Sequence, residues 1–432
     1  MKRILFLILI LFAWDLYGQQ EGINYDETQV PSFVLPDMMV CNDGTPVRDV
    51  KTWENKRRPE ILEYFFSQEY GRTRYDKIAV HYEEVSNNEE FIGGKATCKQ
   101  VRFIFSNGKK EHEAIAMLVI PNHRKGKVPV VVAYNFKGNP STTLDTTILY
   151  SPAFPLVKRP DHPDWKRGCQ MNRWCWEKIV DRGYAVITMC YHDIYPDERG
   201  QEMVDNSIIS LFPDYREREI LSDAWGAIGA WAWGSSRLVD YLETQPWADM
   251  DKIAVMGHSR QGKAALWAGA QDKRFKVVIS NDSGCSGAAL AKRVYGENVA
   301  RITTVLDWWF CPAYHFYADN EAAMPFDQHE LIALIAPRHA YVASAQEDRW
   351  ADPKGEFLAT AYASPAYEIY GMKGLGTLEQ PAVHHPIMND VGYHIRTGKH
   401  DVTDYDWEQF LNFCDLHFRY GTQQKKCRKS SK

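Results

Sequence analysis

The sequence predicts an α/β fold: a mainly parallel central sheet with helices on both faces and an N-terminal antiparallel extension. Two observations carry this. Short continuous apolar runs recur at Val128 to Tyr134, Tyr184 to Cys190, Ile253 to Met256, Val277 to Ser280 and Ala340 to Ala345. Runs of that length and composition mark strands buried on both faces. Between and after them lie amphipathic stretches at Ala224 to Leu242, Lys263 to Ala270 and Tyr405 to Phe418. Strands that alternate with helices need crossover connections, and those give a parallel sheet.

Upstream the pattern differs. From Ile78 to Ile120 apolar and polar residues alternate, as in Val101-Arg102-Phe103-Ile104-Phe105, which predicts antiparallel strands. Residues 19 to 55 are polar and irregular and read as a wrapping segment without a core of its own. Residues 1 to 18 carry Met1-Lys2-Arg3, then an apolar run from Ile4 to Trp14, then Tyr17-Gly18. The run is too short to span a bilayer, which takes about 20 residues. It reads as a secretory signal peptide, so a secreted or periplasmic chain is expected. The remaining chain divides into a single α/β domain over 19–420 and a basic, flexible tail over 421–432. No membrane span is expected beyond the signal, and a monomer is expected.

Composition narrows the function. The chain has 432 residues, of which 45% are hydrophobic, enough for a large core. The formal net charge is −5, which gives no support for a nucleic-acid partner. The nine cysteines have no zinc-site spacing, and sequence alone cannot assign disulfides.

The sharpest local signal is Ile253-Ala254-Val255-Met256-Gly257-His258-Ser259-Arg260-Gln261-Gly262-Lys263. A buried strand runs into Gly-His-Ser-Arg and then into a helix-forming stretch. A serine on such a turn exposes its hydroxyl above the sheet, and the backbone amide of Arg260 is then placed to donate to an oxyanion. The spacing departs from Gly-x-Ser-x-Gly, because two residues separate Ser259 from Gly262. The plainer alternative is a serine that caps the helix. A nucleophilic serine needs a base. Among eight downstream histidines, His400 has the best context, in a Gly-containing loop between a short strand (Tyr393 to Arg396) and the last amphipathic helix.

These motifs resemble the glucuronoyl esterases, carbohydrate esterase family fifteen, and its bacterial members above all. The resemblance runs from about Val128 to Phe418. It includes Asn135-Phe136-Lys137-Gly138-Asn139, Arg173-Trp174, Trp225 to Gly234, the full Gly-His-Ser-Arg-x-Gly-Lys elbow, Ser280 to Cys285, Gly296-Glu297, Asp348 to Pro353 and Gly398-Lys399-His400-Asp401. It implies an α/β-hydrolase fold and hydrolysis of esters of (4-O-methyl-)glucuronic acid, as in lignin–glucuronoxylan cross-links. The implied mechanism is a serine triad without metal or organic cofactor. It implies Ser259 as nucleophile, His400 as base and Arg260 as an extra oxyanion donor. Lys263 and Glu297 would hydrogen-bond sugar hydroxyls, and Trp350 would flank the ring. Taken alone, those three read as a helix lysine, a surface glutamate and a core tryptophan. For the acid, most members carry Glu where this chain has Asp282, and some use an acid after the next strand, here Asp348. Asp282 ranks first and Asp348 second, with both expected to contact His400. The alternatives are an acetyl or feruloyl esterase acting on plant polysaccharide and a non-catalytic polysaccharide-binding relative.

Overall fold

The computed structural model describes residues 22–430, apart from 75, 154, 156–164, 214 and 216–220, and without the side chains of 419–430. The signal peptide expected at 1–18 lies outside the described residues. Ten strands form one sheet: β1 (Ala79–Phe91), β2 (Ala96–Ser106), β3 (Glu111–Pro121), β4 (Val128–Asn135), β5 (Ala185–Cys190), β6 (Ala248–His258), β7 (Val277–Asn281), β8 (His339–Ala345), β9 (Ile387–Met388) and β10 (Val391–Arg396). Their order is β1-β2-β3-β5-β4-β6-β7-β8-β10-β9.

From β5 to β10 every neighbouring pair is parallel. The alternating N-terminal segment forms the antiparallel β1–β2–β3 leaf, which joins the parallel part where Ala116 to Val119 of β3 pair with Met189 to Val186 of β5. The free edge, β1, has register irregularities at Glu84/Ser86 and Asn88/Phe91, and the opposite edge, β9, is two residues long.

Six helices matter for the argument: α1 (Arg58–Gln68), α2 (Trp176–Asp181), α3 (Ala227–Glu243), α4 (Arg260–Gln271), α5 (Pro353–Tyr362) and α6 (Asp404–Ser430). Successive side chains of a strand face opposite ways, and β4 uses both faces. Val130, Val132 and Tyr134 join one core with Phe65 of α1, Trp231 of α3, Leu266 of α4 and Phe357 of α5. Val131 and Ala133 join the other with Ile179 of α2 and Phe410 of α6. Each fully buried Val, Leu or Phe contributes about 1.5–3 kcal/mol, so the continuous apolar runs are what make the two-sided sheet stable.

One helix lies outside the sequence expectation. Helix α1 stands directly after the wrapping segment and was not anticipated. Its Arg57-Arg58-Pro59 start is polar, and its burial rests on distant partners such as Ala270 and Leu334, whose carbonyls accept from Arg58. The backbone of 419–430 continues α6 to Ser430. The Trp- and Gly-rich stretch at 225–234 is a packing motif. A Cβ on Gly226 would lie 2.2 Å from the Trp309 carbonyl oxygen, so only glycine lets α3 start against that backbone. Eight cysteines from Cys41 to Cys414 are free thiols. Among the described residues no helix is long and apolar enough to cross a membrane.

Candidate active site

The C-terminal ends of the parallel strands converge on one site, as open α/β sheets require. Strand β6 ends at His258 and α4 begins at Arg260, so Ser259 alone makes the turn. It does so at φ 56° and ψ −129°, a backbone conformation that costs a non-glycine residue on the order of 1–3 kcal/mol. Two bonds hold that strain in place. The Ser259 amide donates to the Asn281 carbonyl at the end of β7 (2.8 Å), and the Ser259 carbonyl accepts from Gly262 N–H (2.8 Å). The turn is so tight that a Cβ on Gly257 would come within 1.8 Å of the Gln261 carbonyl oxygen. The extra residue between Ser259 and Gly262 is therefore accommodated without opening the elbow.

His400 sits in the loop after β10, with its side chain 39% exposed. Its Nδ1 is 2.6 Å from Asp348 Oδ2, a charge-assisted distance that fixes Nδ1–H and leaves Nε2 as the basic nitrogen. Asp348 itself is buried in the loop after β8. Among the described residues no hydrogen bond links the Ser259 hydroxyl to His400. Such bonds are often long before substrate arrives.

The expectation for Asp282 needs correction. It has φ 45° at the end of β7 and is buried. Asp282, Asp348 and His400 offer polar atoms that lie within 4.8 Å of one another, yet no hydrogen bond runs from Asp282 to His400. Its Oδ1 accepts from Ala345 N–H (2.7 Å), and its Oδ2 from Asn281 Nδ2 (2.8 Å) and Arg396 Nη2 (3.4 Å). An aspartate reaches about 1.5 Å less far than a glutamate, one C–C bond. Here the shorter carboxylate braces the loop that carries Asp348, and Asp348 contacts the imidazole. Burial, with Glu356 and Asp348 nearby, pushes the Asp282 carboxyl well above the usual carboxylate range.

The ring of His258 lies under His400 with centroids 4.4 Å apart. Its Nδ1 accepts from Asn281 Nδ2 (3.1 Å). Burial, followed by the influence of His400, holds His258 well below the ordinary histidine range. His400 thus rests on a neutral ring.

The other predicted residues gather around the start of α4 and the segments packed on it. The Arg260 guanidinium bonds through Nη1 to Asp197 and lies 4.7 Å from the Trp309 ring centroid. Lys263 is 3% exposed. Its ammonium donates to the Ser283 and Cys285 carbonyls and lies 3.8 Å from Glu297 Oε2. The Glu297 amide donates to the Trp350 carbonyl (2.9 Å). Gly296 makes this approach possible, since a Cβ there would lie 2.5 Å from the same carbonyl oxygen. Burial raises the Glu297 carboxyl, and Lys263 opposes that rise. Trp350 is half-buried beside it.

Sequence reasoning missed four members of this assembly: Asp197, Trp309, His258 and Arg396. Asp197 had a usable signal, a carboxylate in the loop directly after a predicted parallel strand. Arg396 ends β10. It pairs with Asp406 through Nε (2.7 and 2.9 Å) and donates to the carbonyls of Thr397 (3.1 Å), Lys399 (3.1 Å) and Asp401 (2.6 Å), on both sides of His400. Another cluster, His339, Asp390 and His417, lies at the far end of the sheet, where β8 begins. Its imidazoles stack 3.6 Å apart at 20°. Near-parallel rings do not converge their lone pairs on one ion.

A strained serine at a strand-to-helix turn, with a carboxylate-bound histidine after the last parallel strand, defines a serine-type ester hydrolase of the α/β-hydrolase fold. Comparison with known proteins narrows this. The family model for fungal glucuronyl esterase matches residues 172–371. The chain is 40% identical over 440 residues to carbohydrate esterase MZ0003 from an unknown prokaryotic organism, covering 98% of this chain and 100% of the relative. A glucuronoyl esterase structure from Solibacter usitatus superposes with a TM-score of 0.82 at 40% identity, over 90% of this chain and 99% of that one. A promiscuous CE15 esterase from a marine bacterial metagenome superposes with a TM-score of 0.82 at 38% identity, over 92% and 100%. The chain belongs to carbohydrate esterase family fifteen, the glucuronoyl esterases.

Proposed function

We propose that the protein hydrolyses alkyl and aryl esters of glucuronic acid and its 4-O-methyl ether, with the glucuronoxylan–lignin ester as its natural target, after export. Ser259 attacks the C6 carbonyl as His400 Nε2 takes its proton. Asp348 holds the imidazole and stabilises the imidazolium. The tetrahedral oxyanion is met by the Arg260 amide and guanidinium. The imidazolium returns its proton to the departing alcohol, and water then releases the acyl-enzyme by the same steps in reverse order. Lys263, Glu297 and Trp350 bind the sugar.

One observation carries the reading: the buried Lys263–Glu297 pair, one turn of α4 beyond Ser259. A general acetyl or feruloyl esterase has no need for a fixed cation and anion beside its nucleophile. The pair supplies the donors and acceptors that a hydroxylated sugar acid demands. Turnover of benzyl glucuronate and benzyl galacturonate is the test. The first should be strongly preferred, and Ser259→Ala should abolish turnover while glucuronate still binds. Equal rates on both esters would point to the broader esterase, and undiminished turnover in Ser259→Ala would end the serine mechanism.

A further inference from the structure

Arg260 does not hold its pose unaided. Asp197 stands in the loop after β5, its side chain only 1% exposed. A carboxylate taken that far out of water needs several donors, and Asp197 has four. They are the Arg260 guanidinium, the Tyr191 hydroxyl (2.9 Å), and the indole N–H groups of Trp308 (2.9 Å) and Trp309 (2.6 Å). Its own amide donates to His192 Nδ1 (3.0 Å). The carboxylate is therefore over-determined and cannot swing.

Arg260 is gripped in two ways as a result. Asp197 fixes its Nη1, and Trp309, itself tied to the same carboxylate, lies against its guanidinium. What remains is the Nη2 amino group, which has no bonded protein acceptor among the described residues, and Nε–H, which is buried and has no acceptor. A buried donor with no partner is costly to keep, so its presence asks for an acceptor that comes with the substrate. A donor held rigid before the reaction costs no reorganisation when charge develops, which is the main source of oxyanion stabilisation.

We propose that Asp197 is a positioning residue, which holds the Arg260 guanidinium ready for the oxyanion and acts on the ester only through it. The proposal rests on the reading of Arg260 as an oxyanion donor. An Asn at 197 could still accept from the indoles, but its amide would meet Arg260 donor to donor, and the guanidinium would lose its fixed place.

A double-mutant cycle on the full chain, with kcat and KM for benzyl glucuronate, tests this. Loss of one oxyanion donor typically costs about 10²–10³ in kcat, so Arg260→Ala should fall into that range. Asp197→Asn should lower kcat by about 10–10², with KM changed less than about threefold, because a displacement of about 1 Å already costs that much. In the Arg260→Ala background the same change should cost less than about threefold, since two residues acting as one unit are not additive. If the two losses multiply, Asp197 acts independently of Arg260 and the proposal is overturned. A near-wild-type Asp197→Asn beside an impaired Arg260→Ala also overturns it. An unimpaired Arg260→Ala instead removes the oxyanion role of Arg260, and this proposal with it. Should Asp197→Asn fail to fold, Asp197→Glu keeps the charge and moves it by about one bond length. Its kcat should then fall at unchanged KM, and an unchanged kcat overturns the proposal.

Discussion

Replacing Asp348 by Asn separates the two carboxylates near His400. The 2.6 Å bond from His400 Nδ1 to Asp348 fixes the tautomer and stabilises the imidazolium. An asparagine can turn its amide nitrogen to Nδ1 and favour the wrong tautomer. In a comparable serine triad that error costs about 10⁴ in kcat. With the flanking loop still braced by Asp282, a loss of about 10³–10⁴ is expected here, or ~4–5.5 kcal/mol at 1.36 kcal/mol per decade. Asp282→Asn should behave differently. Its carbonyl can still accept from Ala345 N–H, but its amide would face the Asn281 and Arg396 donors. A buried unpaired donor costs about 1–3 kcal/mol, so this variant should lose stability and about tenfold or less in kcat. Steady-state kinetics on benzyl glucuronate with thermal unfolding of both variants is the assay. A larger kcat loss in a folded Asp282→Asn than in Asp348→Asn would refute the assignment.

Three further outcomes follow from the geometry. Arg396→Lys should lower kcat by about 10–10² with little change in KM, because an ammonium cannot serve Asp406 and three loop carbonyls at once; an unchanged kcat would show that the His400 loop holds itself. Gly257→Ala should cost more than about 3 kcal/mol, read from chemical denaturation, since its Cβ would meet the Gln261 carbonyl oxygen at 1.8 Å; a wild-type midpoint would mean the elbow is looser than described. Burial raises the Glu356 carboxyl from 4.5 to about 8, so between those values the folded chain holds a proton that the unfolded chain has released. That contribution to stability is present below pH 4.5 and lost as pH rises to about 8, and Glu356→Gln should flatten the decline; parallel pH–stability curves for the two proteins would contradict it.

The nucleophile elbow was legible because every part of it is local. A strand buried on both faces, a glycine at the point of closest approach and a helix N-terminus all fall within eleven consecutive residues, Ile253 to Lys263. The orientation of the sheet followed from the same apolar runs. Which carboxylate contacts His400 was not legible, because it is decided by distance. Asp282 and Asp348 each follow a parallel strand, and the difference is about one bond length of reach plus the demands of Ala345, Asn281 and Arg396 on Asp282. Asp197 lies 63 positions from Arg260 and meets it because β5 and β6, whose following segments carry the two residues, flank β4 in the sheet. Lys263 reads as a solvated helix lysine because sequence does not reveal that the Ser283 and Cys285 carbonyls are waiting for it.

The two rims of the sheet have a bearing on self-association. An unpaired strand edge invites other chains to add on, and a ten-stranded sheet has two. Here one rim, β1, carries Glu83, Glu84, Glu89 and Glu90 and breaks its own register twice. The other, β9, ends after two residues. Acidic repulsion and bulging at one side, and brevity at the other, make both rims poor templates for strand addition. The guard against fibrous self-association is thus written into the edges of the sheet itself.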